Sequence, residues 1–176
     1  MKTNVALTGF MGSGKTAVGK ILAEKLNKQF VEMDSLIKQK AGKSISQIFA
    51  QDGEIAFRQL EIELTKEVGK GKKLVIACGG GIVLNKINID RLQDEAVIVY
   101  LTASPTVILK RISADKQERP VLKGRDNASA IGELLRFRKP FYERAADIRI
   151  DTSKLNINSV ANEIIARLKE YESFHQ

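Results

Sequence analysis

Residues 9–16 of this 176-residue chain read GFMGSGKT, which satisfies the pattern G-x-x-x-x-G-K-[ST] of a phosphate-binding loop. The pattern lies where an apolar, β-prone run at residues 4–8 meets an amphipathic helix, which is the context that the motif requires. Gly9, Gly12 and Gly14 allow positive φ angles and a close approach of backbone N–H groups to phosphate. A glycine-rich turn that only caps a helix is the competing explanation, and nucleotide binding is the leading hypothesis.

The residues of this loop predict particular contacts with a nucleoside triphosphate. The N-terminus of the following helix supplies unpaired N–H groups and partial positive charge. Lys15 can reach the β and γ phosphates, and the Thr16 hydroxyl can ligate Mg²⁺. The predicted ATP contacts in this segment are Gly12, Ser13, Gly14, Lys15, Thr16 and Ala17.

Composition narrows the class of protein. The length predicts one domain over residues 1–176, and the single cysteine, Cys78, cannot form an internal disulfide. No apolar run approaches the ~20 residues that cross a bilayer, and no N-terminal segment has the pattern of a secretory signal. We therefore expect a cytoplasmic protein without a membrane partner.

The net charge of +8 raises nucleic acid as a possible partner. The basic residues are spread along the chain, however, and there are three tyrosines and no tryptophan for base stacking. No helix-turn-helix, zinc-finger or RNA-binding signature is present in the sequence. We expect no nucleic-acid partner, and a nucleotide-dependent, nucleic-acid-binding ATPase remains the alternative from a different class.

Short runs rich in valine and isoleucine alternate with amphipathic helical stretches along the chain. Strands buried on both faces have this composition, and helical crossovers between them produce a parallel sheet. The fold class is therefore α/β. The predicted strands are residues 4–8, 30–33, 74–77, 96–101 and 148–150.

Local signals predict several helix ends. Ser44 and Gln47 form a capping box, and Ser104 is an N-cap followed by a proline. Asn158 or Ser159 is expected to begin the last helix. Pro140 should kink or stop the helix that carries Arg138.

The predicted strands 74–77 and 96–101 do not end in the aspartate that many ATPases and GTPases place there. Carboxylates follow the second strand instead, at Glu32 and Asp34. Alternate side chains of an extended segment point the same way, so both can face the γ-phosphate at the carboxyl end of the sheet. An N-cap of the next helix is the competing explanation for Asp34.

Other candidate residues each have a structural explanation beside the functional one. Arg58 is flanked at helical spacing by Glu54 and Glu61, which suits an anion clamp or an exposed ion-pair cluster. Gly79, Gly80 and Gly81 follow a buried strand, where they form a turn or let a ligand lie against bare backbone.

Two further arginines lie later in the chain. The polar segment 113–127 contains Arg119 within R-P-V-L and is either a connector or a lid whose arginine reaches the transferring phosphoryl group. Arg138 precedes Pro140 and is either a substrate contact or part of a solvated basic face. Cys78 and His175 are expected to be a core residue and a solvated tail residue.

Taken together, the motifs resemble those of the shikimate kinases over nearly the whole chain. They occur in the family's order, and other small-molecule kinases such as gluconate kinase would not need paired arginines at 58 and 138. The matching motifs are G-x-x-G-S-G-K-T at residues 9–16, x-M-D at 32–34, I-F-x-x-D-G-E-x-x-F-R-x-x-E at 48–61, G-G-G at 79–81, R-P-x-L at 119–122 and R-x-P-x-Y at 138–142.

The resemblance implies a monomeric three-layer P-loop kinase with a five-stranded parallel sheet. It implies transfer of the γ-phosphoryl of ATP to the 3-hydroxyl of shikimate with Mg²⁺. A substrate-binding helical segment would span about residues 34–61 and a lid about residues 113–127. Another small-molecule P-loop kinase, acting for example on gluconate, is the alternative within enzymes.

The resemblance also implies roles for individual residues. Asp34 would hold the accepting hydroxyl and take its proton, while Arg58 and Arg138 would grip the substrate carboxylate. Arg119 would contact the phosphates, and Arg111, the arginine before the lid, would stack near adenine. The residues implied to line the substrate pocket are Gly79, Gly80 and Gly81.

One position departs from the family pattern. Glu32 stands where the family usually has aspartate, and its extra methylene moves the carboxylate by roughly one C–C bond. Because Mg²⁺ demands near-octahedral geometry, we expect Thr16 and Glu32 to be the metal residues with an altered contact at Glu32.

Overall fold

Five parallel strands form the centre of the molecule. The computed structural model describes residues 1–115, 127–171 and 174. The strands are β1 (Asn4–Thr8), β2 (Gln29–Glu32), β3 (Leu74–Ala77), β4 (Ala96–Thr102) and β5 (Ile148–Asp151). They form one sheet in the order β2-β3-β1-β4-β5, so β1 is central and all neighbours are parallel.

The strand sequences explain this sheet. Every residue of β1 and β3 is buried, and β-branched residues dominate β3 and β4, as expected for strands covered on both faces. Val5 of β1 pairs with Val75 on one side and Val97 on the other. At the edge, β5 alternates between buried and exposed residues, which is the pattern of a strand with one solvated face.

Helices cover both faces of the sheet. One face carries α1 and α8, whose residues Val18, Leu22, Val160 and Ile164 are buried against the sheet. The remaining helices pack on the other face or beyond the carboxyl ends of the strands. Within the described residues the helices are α1 (Lys15–Leu26), α2 (Met33–Ala41), α3 (Ile45–Gln51), α4 (Gly53–Val68), α5 (Lys86–Glu95), α6 (Pro105–Ala114), α7 (Asn127–Ala145) and α8 (Ile157–Lys169), with a 3₁₀ turn at Ile82–Leu84.

The predicted α/β fold class is confirmed, and the predicted caps at Ser44 and Ser104 are present. The Ser44 hydroxyl accepts from the Gln47 N–H, while the Gln47 side chain accepts from the Ser44 N–H. The Ser104 hydroxyl accepts from the Val107 N–H. None of the described helices combines the length and the apolar content needed to span a bilayer.

The predicted start of the last helix is wrong, and of the two outcomes predicted at Pro140, a kink or a stop, the stop is wrong. The last helix begins at Ile157, because the Asn156 side chain accepts from the Ser159 N–H and caps it two to three residues earlier than expected. The helix that contains Pro140 does not stop there but continues to Ala145. Pro140 and Arg136, whose carbonyl loses its helical partner, are both exposed, so water can satisfy that carbonyl.

Candidate active site

A single cavity of about 440 Å³ lies at the carboxyl ends of the strands, where ligands of open α/β sheets bind. It brings together most of the residues that the sequence singles out. On the nucleotide side these are Gly12, Gly14, Lys15, Thr16 and Ala17. Glu32 lies beside Thr16, and on the opposite side are Asp34, Arg58, Gly79, Gly80, Gly81 and Arg138.

The loop between β1 and α1 has the backbone that its glycines predict. Gly9, Gly12 and Gly14 have φ angles of 146°, 76° and 96°, a region that L-residues with side chains rarely adopt. A Cβ on Gly9 would also lie 2.5 Å from the carbonyl oxygen of Leu101 at the end of β4. Both conformation and close packing therefore require glycine at the start of this loop.

The start of α1 suits an anion. Gly14 precedes the helix in a left-handed conformation and has no side chain with which to cap the first N–H groups. Lys15 Nζ donates to the carbonyl oxygens of Gly9 at 2.8 Å and Phe10 at 2.9 Å, which keeps the ammonium group beside the loop. Helix N–H groups and a lysine at one edge of the cavity form a phosphate cradle.

Two predicted ATP contacts, Ser13 and Arg111, lie behind this loop. Ser13 is buried, and its carbonyl oxygen accepts from the Thr152 hydroxyl at 3.2 Å. Arg111 donates to the carbonyl oxygens of Gly12 at 3.2 Å and Thr152 at 2.9 Å. Arg111 therefore braces the loop against the end of β5. Arg119 lies outside the described residues.

Thr16 and Glu32 meet directly. The Thr16 hydroxyl donates to Glu32 Oε1 at 2.6 Å, and the Ser35 hydroxyl donates to Glu32 Oε2 at 2.6 Å. Partial burial acts to raise the pKa of Glu32, but these two hydrogen bonds and the charges of Lys38 and Lys20 lower it below its usual value. The carboxylate stays ionised beside the phosphate loop, and a hydroxyl with a carboxylate is a donor set that fits Mg²⁺.

Asp34 lies in the first turn of α2, which begins at Met33 and has Glu32 as its N-cap residue. The expectation that Asp34 could be the N-cap is therefore wrong. Asp34 lines the cavity, and its Oδ1 atom lies 3.2 Å from the position that a Cβ on Gly79 would occupy. The Asp34 carboxylate thus lies against Gly79, on the side of the cavity opposite the phosphate-binding loop.

Arg58 is held by two glutamates of its own helix, α4. Its Nη1 donates to Glu61 Oε2 at 3.0 Å and its Nη2 donates to Glu54 Oε1 at 3.2 Å. The Glu61 side chain is 1% exposed, so the alternative of an exposed ion-pair cluster is wrong for this half of it. Burial raises the pKa of Glu61, although the adjacent Arg58 charge and hydrogen bond oppose that rise.

Arg138 is 4% exposed, so the alternative of a solvated basic face is also wrong. Its guanidinium carbon lies 5.8 Å from the centre of the Phe10 ring. Within the described residues the Arg138 Nε atom has no hydrogen-bond partner. Arg138 lines the cavity, and a buried guanidinium with an unused donor is suited to receive an anionic oxygen.

The three consecutive glycines make room for these charged groups. A Cβ on Gly79 would lie 3.1 Å from Glu61 Oε1, and one on Gly81 would lie 2.5 Å from Arg58 Nη2. None of the three has a positive φ, and the Ile82 N–H donates to the Gly79 carbonyl oxygen at 3.2 Å, so the segment is a turn whose glycines also permit close approach. The glycine segment is the surface against which Asp34, Glu61 and Arg58 assemble.

Sequence reasoning missed several lining residues. Phe49 and Phe57 pack with ring centres 4.8 Å apart and both line the cavity, as does Met11. The aromatic positions of the 48–61 motif were the signal that could have revealed the two phenylalanines. Cys78 also lines the cavity, and burial raises the pKa of its thiol to about 12.

The fold and the site define a class. A central β1, a glycine loop, a lysine at the start of α1 and a second anion pocket on the same cavity are the features of a P-loop phosphotransferase.

Comparison with known proteins identifies the family. The family model for shikimate kinase matches residues 11–169. A shikimate kinase of Caldanaerobacter subterraneus subsp. tengcongensis is 47% identical over 92% of this chain and 94% of its own length. A shikimate kinase of Thermodesulfovibrio yellowstonii is 45% identical over 96% of this chain and 95% of its own length. The solved structure of a shikimate kinase from Acinetobacter baumannii in complex with shikimate matches this chain with a TM-score of 0.93 and 33% identity. The match covers 98% of this chain and 96% of that one. This chain belongs to the shikimate kinase family.

Proposed function

We propose that this protein transfers the γ-phosphoryl group of ATP to the 3-hydroxyl of shikimate, giving shikimate 3-phosphate and ADP. The observation that carries the proposal is one cavity with a phosphate cradle on one side and Asp34, Arg58 and Arg138 on the other. The shikimate kinases of 45–47% identity over nearly the whole chain support the same substrate.

One set of residues binds ATP, and another binds shikimate. The backbone N–H groups at the start of α1 and the Lys15 ammonium hold the ATP phosphates and stabilise negative charge that develops during transfer. Arg58 and Arg138 receive the shikimate carboxylate as charge-assisted hydrogen-bond donors. Arg58 is already oriented by Glu61 and Glu54, so little ordering is required when the substrate binds.

Asp34 accepts a hydrogen bond from the 3-hydroxyl and thereby aims its oxygen at the γ-phosphorus. A new O–P bond forms to that oxygen while the bond to the β–γ bridging oxygen breaks, which releases ADP. The proton of the hydroxyl passes to the Asp34 carboxylate. Water exclusion by a lid around Arg119 stays a prediction, since that segment lies outside the described residues.

Magnesium is part of the proposal. Thr16 and Glu32 would hold the ion, and their hydroxyl and carboxylate oxygens already lie 2.6 Å apart. When bound, Mg²⁺ neutralises charge on the phosphates. Glu32→Ala should weaken Mn²⁺ binding in the presence of ADP, which electron paramagnetic resonance of free Mn²⁺ can measure without turnover. Unchanged Mn²⁺ affinity would remove Glu32 from the metal site.

Other properties remain predictions from the sequence. They are the single-domain organisation, the monomeric state, the cytoplasmic location and the lack of a nucleic-acid partner. Light scattering during size-exclusion chromatography would measure the oligomeric state directly, with a mass near 19.5 kDa expected for the monomer.

The proposal is tested by coupled ADP release with shikimate, quinate and gluconate as acceptors at equal concentrations. Shikimate should give saturable turnover at the highest kcat/KM, because its carboxylate engages both arginines. Phosphorus NMR of the product should show a phosphate ester. A preference for gluconate, or turnover that needs polynucleotide and not shikimate, would refute the proposed function.

A further inference from the structure

Tyr142 is a buried residue with no part in the chemistry described so far. It lies on α7, four residues and thus one helical turn after Arg138, and its side chain is fully buried. Its hydroxyl donates to the carbonyl oxygen of Gly80. This hydrogen bond joins the helix that carries a substrate arginine to the glycine segment on the same side of the cavity.

The position of the Tyr142 ring is fixed independently of that hydrogen bond. The ring stacks on Tyr100 of β4, with centres 4.9 Å apart and an angle of 15° between planes. Removing the Tyr142 oxygen therefore leaves the packing of the ring in place and removes the interactions of the hydroxyl, above all the link to Gly80. Tyr100 offers a matched control, since it belongs to the same stack and is also buried.

The Tyr142 hydroxyl stays a donor in the working pH range. Burial raises the pKa of Tyr142 above its ordinary value, and the Arg138 charge and hydrogen bond lower it only in part. A buried phenol that keeps its proton needs an acceptor, and the Gly80 carbonyl supplies it. Tyr142 lies one helical turn after Arg138 on α7, and its hydroxyl donates to the loop at Gly80, so it links the arginine-bearing helix to the glycine segment.

Gly80 lies between the two halves of the cavity. A Cβ there would lie 3.5 Å from the Met11 N atom of the phosphate loop and 3.6 Å from Arg138 Nη1. A shift of Gly80 would therefore change the spacing between the phosphate loop and the guanidinium group. Holding its carbonyl keeps that spacing fixed.

We propose that Tyr142 is a positioning residue that holds Arg138 and the Gly80 backbone at the spacing that the carboxylate of the acceptor requires. The inference rests on the proposed function, because it assigns the carboxylate to Arg138. Tyr142 touches neither substrate, and it acts through Arg138 and Gly80. Its loss should affect acceptor binding selectively and leave nucleotide binding unchanged.

The test compares wild type, Tyr142→Phe and Tyr100→Phe in coupled ADP-release assays. Tyr142→Phe should raise the shikimate KM about three- to tenfold, the loss expected for one hydrogen bond, with the ATP KM within about twofold. Tyr100→Phe should change neither KM by more than about twofold. With methyl shikimate, whose ester is neutral, the kcat/KM penalty of Tyr142→Phe should fall to about twofold.

The outcomes separate the inference from the function on which it rests. Wild type that does not phosphorylate shikimate overturns the proposed function and this inference with it. Wild type that does, together with an unchanged shikimate KM or an equal rise of both KM values in Tyr142→Phe, overturns the inference alone. A penalty that persists in full with the methyl ester does the same.

A second measurement keeps the Tyr142 side chain intact, so it tests the inference even if Tyr142→Phe folds poorly. The chain has three tyrosines, so labelling with ¹³Cζ-tyrosine gives three signals, which Tyr100→Phe and Tyr171→Phe assign. Shikimate should shift the Tyr142 signal more than ADP does. A Tyr142 signal that moves no more with shikimate than with ADP contradicts the proposed position.

Discussion

The phosphate loop and the acceptor wall face each other across one cavity but are built in different ways. The loop is a single run of residues, 9–16, and offers mainly backbone N–H groups. The acceptor wall combines side chains from α2, α4 and α7 with the glycine segment after β3. A contiguous backbone site depends on local conformation, whereas the wall depends on long-range packing and on buried ion pairs.

The glycines of the two regions show this difference most clearly. Those of the loop have φ angles of 76° to 146°, so a side chain there strains the backbone. Gly81 has an ordinary φ of −99° and is required because Arg58 lies against it. Substitutions should therefore damage the loop through conformation and the wall through displaced charges.

The largest expected effect concerns the group that receives the proton. Asp34→Asn should lower kcat by about 10² to 10⁴, the range for general acid–base catalysis, because the amide cannot accept the proton of the hydroxyl. Rates under saturating substrates measure this, with circular dichroism as the control for folding. Activity within a few-fold of wild type would exclude Asp34 as base.

Lys15→Ala tests the nucleotide side. Loss of its ammonium group should lower kcat by about 10² to 10³, since a preorganised charge beside the transferred phosphoryl group is removed. Lys25→Ala, at an exposed lysine later on α1, is the matched control and should stay near wild type. Near-normal turnover of the Lys15 variant would mean that the loop has no catalytic charge.

Removal of either wall arginine should mainly change acceptor binding. Arg58→Ala and Arg138→Ala should each raise the shikimate KM about 10- to 100-fold, since a charge-assisted hydrogen bond contributes ~1.5–3 kcal/mol. The ATP KM should change little. Arg136→Ala, at an exposed position of α7, is the control. An unchanged shikimate KM in both variants contradicts the carboxylate clamp.

Gly81→Ala sharpens the comparison between the glycines. The new Cβ would lie 2.5 Å from Arg58 Nη2, so the guanidinium must move, and the shikimate KM should rise roughly three- to tenfold, ~1 kcal/mol. In Gly132→Ala the Cβ meets nothing within 4 Å and should cause no loss. Equal KM values in the two variants would show that Arg58 adapts freely.

The smallest effect concerns Cys78, whose thiol lies on the acceptor wall. Burial raises its pKa to about 12, and Glu61 and Asp34 add to the rise while Lys15 opposes it. At pH 8 only ~10⁻⁴ of the thiol is ionised, so native protein should react very slowly with a disulfide reagent. Denaturant should expose it. Rapid native labelling would show that the wall opens.

The regions also differed in how far the sequence predicted them. Strands 4–8 and 74–77 and the loop conformation followed from local patterns, namely β-branched runs and glycine spacing. The burial of Glu61 and Arg138 did not follow, because a charged residue at helical spacing suits solvent or a cavity equally well. Tertiary packing alone decides which side of α4 and α7 faces the cavity.

Helix boundaries were predicted unevenly for a related reason. The Ser44 capping box is closed by residues three apart, so the sequence alone identifies it. At α8 three polar residues compete for the cap, and Asn156 is the one whose side chain reaches a backbone N–H. Pro140 was expected to kink or stop a helix, and its exposed position lets α7 continue.

The central place of β1 bears on how the chain matures during synthesis. Its two hydrogen-bonding edges are filled by β3 and β4, which lie far later in the chain. Gly9 of the phosphate-binding loop packs on the carbonyl of Leu101. The loop can therefore reach its final packing only after β4 has been synthesised. A ribosome-bound chain that ends before residue 96 should therefore lack nucleotide affinity, and the unpaired edge of its first strand is open to aggregation.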